Sequence, residues 1–532
     1  MYTFLSKKTG FWMSKNLSRN PANQNFPLEA LTNGLSDNLD KIRSLTNGST
    51  DIIIRQFNFN KEKTLYAALI FVDGLSDAKT INKSIIDPLM FKTCQAVIKE
   101  SVEKNDICCI GNSMVSVGDV KTAGSFDEVI EGFLSGDAVL LIDGFNSALI
   151  ISCKGWDKRN ITEPAAESVI RGPRESFTES IRTNTSMLRL KIKNPDLVLE
   201  TLTLGQRTRT TVCLSYIKSI ANTELVEAVK ARVNAINTDS ILESGYIEQY
   251  IEDAPFSLFS TIGYSEKPDV IAAKLLEGRV AILVDGTPIV LTAPMFFIES
   301  FQSAEDYYSR PYFMSMLRIV RYIAFFINVL MPAIYVAVTT YHQELLPTAL
   351  LLTMAKAREG VPFPAAIESL IMIMAFEILR EAGVRLPRPI GQAMSIVGAL
   401  VMGEAAVSAG LISAPMVIVI AITAVSIFAV PSQADSAAIL RIIFILLAAV
   451  MGNFGIAIGF LGTLVHLSSL KSFGFPYLSP IVPMQPGAST DSLVRAPLWA
   501  MLKRPAGMAR GDETRRVFNV PPVKQADYNG EE

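Results

Sequence analysis

Charged residues are distributed very unevenly along this 532-residue chain, so one part suits water and the other suits an apolar environment. Residues 322–470 contain 13 charged side chains in 149 positions, whereas the other 383 positions contain 87. Soluble domains average about 25% charged residues, and this chain has 19% overall. The pattern predicts a water-soluble N-terminal part followed by a membrane domain over residues 318–470, and it excludes a plain soluble enzyme.

The remaining composition narrows the functional classes further. A formal net charge of −2 provides no basic field that would indicate nucleic-acid binding. The five cysteines lack metal-ligand spacing, so we expect a reducing, cytosolic N-terminal half with no metal and no cofactor. P-loop, Gly-x-Ser-x-Gly and HExxH motifs do not occur, and both histidines, His342 and His466, belong to the apolar half or its edge. The sequence therefore predicts that the chain is not an enzyme.

The N-terminal half contains an internal repeat. Short β-branched strands alternate with helical patterns, which is typical of an α/β layer structure. The same order recurs about 145 residues later, most clearly where Gly136-Asp-Ala-Val-Leu-Leu-Ile-Asp-Gly resembles Gly278-Arg-Val-Ala-Ile-Leu-Val-Asp-Gly. Each string predicts a strand, an Asp-Gly turn and a returning strand. We predict two tandem-duplicated α/β subdomains, over residues 50–160 and 196–300.

Two polar segments lie outside these subdomains. Residues 1–48 are rich in Asn and Ser and lack periodicity, which predicts a disordered arm. Residues 161–195 form an arginine-rich connector with a turn at Gly172-Pro. Its arginines could hold an anion, a carboxylate of a neighbouring subunit or lipid headgroups, and a solvated basic face is the alternative. We predict an interface role for four of them: Arg171, Arg174, Arg182 and Arg189.

The apolar half predicts a polytopic helical domain of four to six apolar segments, each at or near the bilayer-spanning length of about 20 residues. Arg310, Arg318 and Arg321 precede the first charge-free stretch, which starts at Tyr322. By the positive-inside rule, these arginines and the basic tail over residues 471–532 lie in the cytosol. Five simple spans would leave the tail outside. Either one segment is re-entrant, or residues 442–470 are broken at Gly452-Asn-Phe-Gly. The sequence leaves both alternatives open.

Polar side chains within this half need an explanation, because a charge at a helix centre costs about 2.5–3.5 kcal/mol on insertion scales. Glu368 and Glu404 could line a water-filled path for cations, or Glu368 could be satisfied by a neighbouring helix. Glu377 lies near a boundary and could pair with Arg380, three residues on. Asn328 is a further polar residue of the first apolar segment.

Seven short motifs occur in a fixed order between about residues 51 and 483. They are Ile170-Arg-Gly-Pro-Arg-Glu, Asp306-Tyr-Tyr, Gly360-Val-Pro-Phe-Pro, Glu377-Ile-Leu-Arg-Glu-Ala, Leu386-Pro-Arg-Pro-Ile-Gly, Ser395-Ile-Val-Gly-Ala-Leu-Val and Ser472-Phe-Gly-Phe-Pro-Tyr. Together they closely resemble the A-subunit family of bacterial spore germinant receptors, the GerA family.

This resemblance implies an integral, multi-pass protein of the spore inner membrane. Its partners would be a transporter-like B subunit that senses nutrients, a lipoprotein C subunit, membrane lipid and further copies of itself. The family resemblance suggests pentamers that form a ligand-gated ion channel, whose opening releases monovalent cations and starts germination. The family often has Gln where this chain has Glu404, which adds a ring of carboxylates and leaves ion selectivity open.

Our mechanistic hypothesis combines the resemblance with a run of small residues over 391–410, a composition that allows close helix contact or a narrow pore lining. Nutrient binding at a partner would rotate the protomers and open the segment, with Val401, Val407 and Leu411 as a hydrophobic gate. The candidates for the pore and gate together are Gly398, Val401, Glu404, Val407 and Leu411.

Two alternatives remain. The paralogous stage V sporulation protein AF branch shares the membrane motifs and is thought to amplify germination without a dedicated nutrient. A monomeric secondary transporter would require inverted repeats within the apolar half, whereas the repeat detected here is in the soluble half.

Overall fold

The described residues form two sheet-containing subdomains followed by a bundle of apolar helices. A computed structural model describes residues 29–59, 65–91, 107–155, 164, 167, 169–385, 403–483, 491–501, 503, 504, 508, 509 and 514.

The first subdomain is built on a five-stranded sheet with antiparallel pairing and the order β1-β2-β4-β5-β3. Successive side chains alternate between its two faces, so Leu69 and Leu140 enter one core while Ile70 and Val139 enter the other. The strands are β1 Ile52–Phe59, β2 Leu65–Val72, β3 Val120–Ala123, β4 Ala138–Ile142 and β5 Ala148–Ile151.

Helices cover both faces of this sheet. On one face pack α1 (Leu35–Leu45) and α3 (Phe126–Leu134), the latter capped by the Ser125 side chain, which accepts from the Glu128 backbone N–H. On the other face pack α2 (Cys108–Met114) and the helical stretch over residues 78–91. The sheet is therefore the middle layer of three.

The second subdomain repeats this arrangement, with the strand order β6-β7-β9-β10-β8. Its strands are β6 Leu197–Leu204, β7 Thr210–Ile217, β8 Gly263–Ser265, β9 Val280–Val284 and β10 Val290–Ala293. On one face lie α4 (Ile181–Lys191) and α7 (Pro268–Leu275); on the other lie α5 (Thr223–Asn234) and α6 (Ser244–Ile251). A duplicated unit would produce this shared order.

Each copy begins with a helix whose first backbone N–H is held by the Asp of an Asp-Gly turn. Leu35 N donates to Asp143 Oδ1 over 3.1 Å in the first copy, and Ile181 N donates to Asp285 Oδ1 over 3.0 Å in the second. The first N–H groups of a helix have no acceptor within the helix, so the Asp carboxylate serves as the acceptor for one of them. The Asp-Gly turns thus close the hairpins and also position the first helix of each copy.

These helices correct two predicted boundaries. The arm expected to be disordered over residues 1–48 contains α1, whose Leu35, Leu39 and Ile42 recur at helical spacing and are buried against the sheet. Residues 1–28 lie outside the described residues. The expected connector over 161–195 ends in α4, which is the first helix of the second subdomain. Helix α1 is short and mostly polar, so its periodicity is weak. The seven-residue spacing of Arg182 and Arg189 does predict a helix there, which the structure confirms as α4, but it does not indicate that this helix belongs to the second subdomain.

A buried ion pair helps to join the two subdomains. The Arg189 side chain on α4 is fully buried and donates from Nε and Nη2 to the two carboxylate oxygens of Asp51, over 3.0 and 2.9 Å. Beside it, Ser49 Oγ accepts from Leu199 N, and Thr50 N donates to Leu199 O. The start of the first subdomain is thereby bonded to β6 of the second.

The described residues of the apolar half are mainly helical. By length and composition, the segments Pro311–Thr340 and Pro431–Ser469 could each cross a membrane, while Ala414–Ile427 is apolar but shorter. The polytopic arrangement itself stays a prediction. The helices are α8 Pro311–Thr340, α9 Thr348–Arg358, α10 Ala365–Arg385, α11 Ala414–Ile427 and α12 Ala434–Ser469, and residues 403–408 are also helical.

Helix α12 is a hairpin rather than one long rod. Gly452 has φ +59° and ψ −141°, a conformation that interrupts the helix and that residues with a Cβ rarely adopt. A Cβ built on Gly459 would lie 2.9 Å from Phe444 Cε1, so the second arm folds back along the first. At the tip, Tyr341 Oη donates to Ala449 O over 2.8 Å. Of the two alternatives left open by the sequence, the broken segment is the one found.

The chain after this hairpin returns to the second subdomain. Strands β11 (Lys471–Ser472) and β12 (Phe475–Pro476) pair with each other, and Tyr477 is fully buried among the helices. Farther on, Asn222 N donates to Met508 O over 3.1 Å. The predicted tail over 471–532 is thus, in its described residues, partly a structural element of the soluble half.

We expect Arg189→Met to lower the free energy of unfolding by about 3 kcal/mol, because it leaves the Asp51 carboxylate buried without its cation. Arg182→Met is the matched control, since Arg182 pairs with Asp73 at 2.6 Å but is half exposed; its loss should cost about 0.5 kcal/mol. Thermal unfolding of the detergent-solubilised chain measures both, and equal effects would contradict the assignment.

Candidate functional site

The soluble and apolar halves meet at a buried ionic cluster. Asp306 and Arg318 are both fully buried, with Arg318 Nη2 lying 3.1 Å from Asp306 Oδ2. Arg318 Nη1 also donates to Asp491 Oδ1 over 2.9 Å, and Arg321 Nη1 lies 2.9 Å from Asp306 Oδ1. We call these four residues the junction cluster. It fastens the start of α8 to the 3₁₀ turn Ala304–Tyr307 and to the chain after the hairpin.

Local sequence explains why Asp306 is available for this role. Ser303 precedes the 3₁₀ turn, and its backbone N–H donates to Asp306 Oδ2 while the Asp306 N–H bonds the Ser303 carbonyl. The turn therefore helps to fix the position of the carboxylate that the arginines contact. Because Arg318 is fully buried and Arg321 largely so, both guanidinium groups need this carboxylate as a counter-charge.

The Ile170-Arg-Gly-Pro-Arg-Glu motif lies against the same turn. The backbone N–H groups of Ile170 and Arg171 both donate to Glu305 Oε1, over 3.2 and 3.1 Å. Gly172 has φ +141°, and a Cβ added there would lie 2.6 Å from Tyr308 Cδ2. Only glycine permits this approach.

Tyr308 continues the contact by donating to Asp269 Oδ2 at the start of α7. Burial, together with the neighbouring Asp269 carboxylate, raises the pKa of the Tyr308 hydroxyl. The hydroxyl therefore stays protonated and remains a donor at neutral pH. Through it, the junction is linked to the second subdomain.

The Ser472-Phe-Gly-Phe-Pro-Tyr motif supplies a third contact. Ser472 Oγ accepts from Met295 N over 3.2 Å and donates to Thr261 O over 2.6 Å. Phe297 N donates to Tyr477 O over 2.9 Å. Three of the motifs found in the sequence, which are far apart along the chain, therefore converge where the two halves join.

The four connector arginines do not form one surface. Arg189 and Arg182 hold carboxylates of their own chain, Asp51 and Asp73. Arg171 contributes its backbone N–H to Glu305, and the Arg171 and Arg174 side chains are exposed. Of the ligands considered for this set, a carboxylate is the one present for Arg182 and Arg189, although it comes from the same chain rather than from a neighbouring subunit.

A second polar cluster lies between the apolar helices. Arg441 on the first arm of α12 is almost fully buried and donates from Nη2 to Glu377 Oε1 over 2.5 Å and from Nη1 to Asn328 Oδ1 over 2.9 Å. Arg380 pairs with Glu377 Oε2 at 2.8 Å, as their spacing along α10 allows. Three helices are joined by this network, so Glu377 and Asn328 already have partners.

Glu368 is fully buried at the opposite end of α10. Its Oε1 accepts from the backbone N–H of Ser413 over 2.6 Å and from the Ser413 hydroxyl over 2.5 Å, while its Oε2 has no partner. Ser413 precedes α11, so this carboxylate serves the unpaired N–H groups at that helix start. Glu368 therefore does not share a solvent-lined face with Glu404.

The pore candidates that the structure describes are on an exposed surface. Glu404 is exposed, and Val407 and Leu411 are 36% and 48% exposed. Gly398 and Val401 lie outside the described residues. The residues considered for a cation pathway thus fall into two groups: Glu368 is buried and hydrogen-bonded within the chain, whereas Glu404, Val407 and Leu411 are exposed.

Sequence reasoning missed the residues that organise both clusters. Arg441 is an intramembrane charge by the same criterion that singled out Glu377, so its signal was present. The sequence marks Asp306 only as the first residue of the Asp306-Tyr-Tyr motif and assigns it no role, and Asp491 is an ordinary acidic residue that nothing local distinguishes. Their importance follows from burial beside Arg318, which requires the fold.

Two cysteines, Cys153 and Cys213, are buried in the N-terminal half. Burial raises the pKa values of the Cys153 and Cys213 thiols to about 12, which leaves them protonated and unreactive at neutral pH. Within the described ranges, no group of three or more His, Cys, Asp or Glu side chains could hold a metal ion.

Comparisons with known proteins cover both halves. A family model described as Bacillus/Clostridium GerA spore germination protein matches residues 40–507. The chain is 46% identical over 495 residues to spore germination protein KA of Bacillus subtilis (strain 168), covering 92% of this chain and 90% of that protein. It is 37% identical over 491 residues to spore germination protein GerLA of Bacillus cereus, covering 91% and 98%.

Solved structures that match this chain include the N-terminal domain of the A subunit of the Bacillus megaterium spore germinant receptor GerK3, with 39% identity and a TM-score of 0.39, covering 51% of this chain and 98% of that chain. Because the family model and the relatives span the soluble and apolar halves alike, this chain belongs to the GerA family of spore germination proteins.

Proposed function

We propose that this chain is the A subunit of a nutrient germinant receptor in the spore inner membrane, and that its copies form a ligand-gated cation channel. The observation that carries the proposal is the family match over residues 40–507, with relatives named spore germination proteins and one named an A subunit of a germinant receptor. A transporter-like B subunit and a lipoprotein C subunit would complete the receptor.

The exposed surface of the helices supports a place in lipid. Val425 on α11 is 70% exposed, and Val450 and Phe454 at the α12 tip are 74% and 64% exposed. Water would disfavour so much apolar surface, at roughly 25 cal/mol per Å². Hydrocarbon carries no such penalty.

The direction of each helix supports a multi-pass arrangement with both ends on one side. Helix α8 leaves the junction cluster, and its end reaches the tip of the α12 hairpin through Tyr341. Both arms of α12 end near the second subdomain, where Ser436 donates to Leu258 O and His466 lies 3.0 Å from Ser257. Each arm has about 18 residues and spans about 27 Å, close to the hydrocarbon thickness.

The polar contacts narrow the choice of pore lining. Glu368, Glu377 and Asn328 are occupied by partners within the chain and act in this proposal as structural groups. Glu404, Val407 and Leu411 face outward, where a neighbouring copy or a water-filled path could meet them. We therefore retain these three as lining residues, together with Gly398 and Val401 from the same small-residue segment.

The junction cluster supplies a route from ligand to gate. Movement of the second subdomain would act on α8 through Asp306 and Arg318, which share two buried hydrogen bonds. Helix α8 packs along the α12 hairpin and α11, so its rotation would shift the helices that adjoin the lining segment.

The proposal is tested in spores whose other germinant receptors have been deleted. Removing this chain should abolish monovalent-cation release in response to the nutrients that trigger the parent spores, and a plasmid copy should restore it. Ion-selective electrodes follow the release after a panel of amino acids and sugars is added. Unchanged release from spores lacking the chain would overturn the proposal.

A channel built from several copies predicts a complex whose protein mass is a multiple of 58.1 kDa, five copies being expected. Light scattering of the detergent-solubilised chain, corrected for bound detergent, gives that mass. A monomer would exclude the pore and favour a transporter.

The gate assignment predicts that Val407→Ala raises the resting cation leak of reconstituted vesicles by about tenfold, because a less apolar constriction is easier to wet. Val425→Ala is the matched control: the same substitution on an exposed face of α11 should leave the leak unchanged. If Val407→Ala neither leaks nor alters germination, the gate does not include Val407.

A further inference from the structure

Among the exposed aromatic side chains of the second subdomain, which also include Tyr264, three belong to residues 246–256, the segment that leads to the contact with the helices. Phe256 is 100% exposed, Tyr250 is 57% exposed and Tyr246 is 42% exposed. We call these three residues the aromatic edge. Phe259, three positions beyond Phe256, is buried in the core of the helical bundle. Leaving a whole phenyl ring in water forgoes about 2 kcal/mol of burial free energy, so this turn indicates a partner surface.

Bonds on both sides of Phe256 fix its position. Before it, the Asp253 carboxylate accepts from the backbone N–H of Phe473, just after the second arm of α12. After it, Ser257 Oγ lies 3.0 Å from His466 Nε2 near the end of that arm. The next carbonyl, of Leu258, accepts from Ser436 at the start of the first arm. Phe256 therefore lies beside the ends of both arms.

The neighbouring chemistry indicates which surface this is. Aromatic rings collect at the level where membrane helices leave the hydrocarbon, since one end of the ring is apolar and the boundary is wet. Tyr246 and Tyr250 are four residues apart, so they lie on one side of α6. Lys471, exposed and two residues past the end of α12, places a cation at the same end of the hairpin.

We propose that the aromatic edge inserts into the headgroup and upper acyl region of the phospholipid bilayer and holds the second subdomain against the membrane. This inference rests on the proposed embedding of the helices in lipid. A second copy of the chain could also cover such a surface, but continuity with the ends of two apolar helices favours lipid. Insertion would fix the distance of the second subdomain from the membrane. The junction cluster would then connect α8 to a subdomain that is anchored at the bilayer surface.

Brominated lipids test the proposal in the full chain. Phe256→Trp adds a fluorophore where the side chain is fully exposed, so packing is unaffected. Ile443→Trp, in the middle of the first arm, reports on embedding, and Tyr66→Trp reports on the exposed surface of the first subdomain. Each variant is reconstituted into phosphatidylglycerol–phosphatidylethanolamine vesicles, and the emission of the unsubstituted chain, which contains three tryptophans, is subtracted.

With bromine near the top of the acyl chain, the emission added by Phe256→Trp should fall about twofold, as for a residue at the interface. With bromine deep in the chain, Ile443→Trp should lose more than Phe256→Trp. Tyr66→Trp should be unaffected by either lipid.

The outcomes separate the two proposals. If Ile443→Trp is quenched but Phe256→Trp is not, the helices are in lipid and the aromatic edge is not; crosslinking of Phe256→Cys between chains would then identify a second copy as its partner. If Ile443→Trp is not quenched by either lipid, the proposed embedding fails and the inference fails with it.

Discussion

The structure depends on one buried carboxylate. Asp306 is removed from water together with Arg318, and it also holds Arg321, so one anion stabilises two cations at the start of the first apolar helix. A buried charge without a partner would cost several kcal/mol. Asp491, from the far end of the chain, supplies a second carboxylate to Arg318 and so balances the second cation. The subdomains, the helices and the returning chain are consequently fixed at one point, where three of the family's motifs converge.

The second constraint is the break at Gly452. A continuous helix over residues 434–469 would be about 54 Å long, too long for a bilayer, and would leave the following chain on the opposite side. The left-handed residue turns it into two antiparallel arms and lets Ser472 and Tyr477 reach the second subdomain. Packing within the hairpin requires glycine where the arms touch, since a Cβ at Gly459 would press on Phe444.

Much of the soluble half could be predicted from sequence. Strand alternation and the repeated Asp-Gly strings identified two similar units, because their signals are local and periodic. Helix α1 was missed because it is short and mostly polar, and α4 was expected as a helix from the spacing of Arg182 and Arg189 but not as part of the second unit. Both are held in place by Asp143 and Asp285, which are distant in sequence. The candidate site was predicted less well: Glu368 and Glu404 were placed on one path by residue type, but Glu368 is bonded to Ser413, a contact between α10 and α11 that no spacing along either helix encodes.

By itself, the sequence determined that one half has the composition of a water-soluble protein and the other that of a protein in an apolar environment, and its motifs determined the family. Composition and periodicity suffice for this, because solvent preference adds up residue by residue. Only the tertiary structure decided which charged side chains form ion pairs within the chain. Whether Arg189, Arg318 or Glu377 contacts a partner, a ligand or its own chain depends on residues that lie far away in sequence. Because these side chains are buried or partly buried, each needs a partner of opposite charge, since an unpaired buried charge is strongly unfavourable.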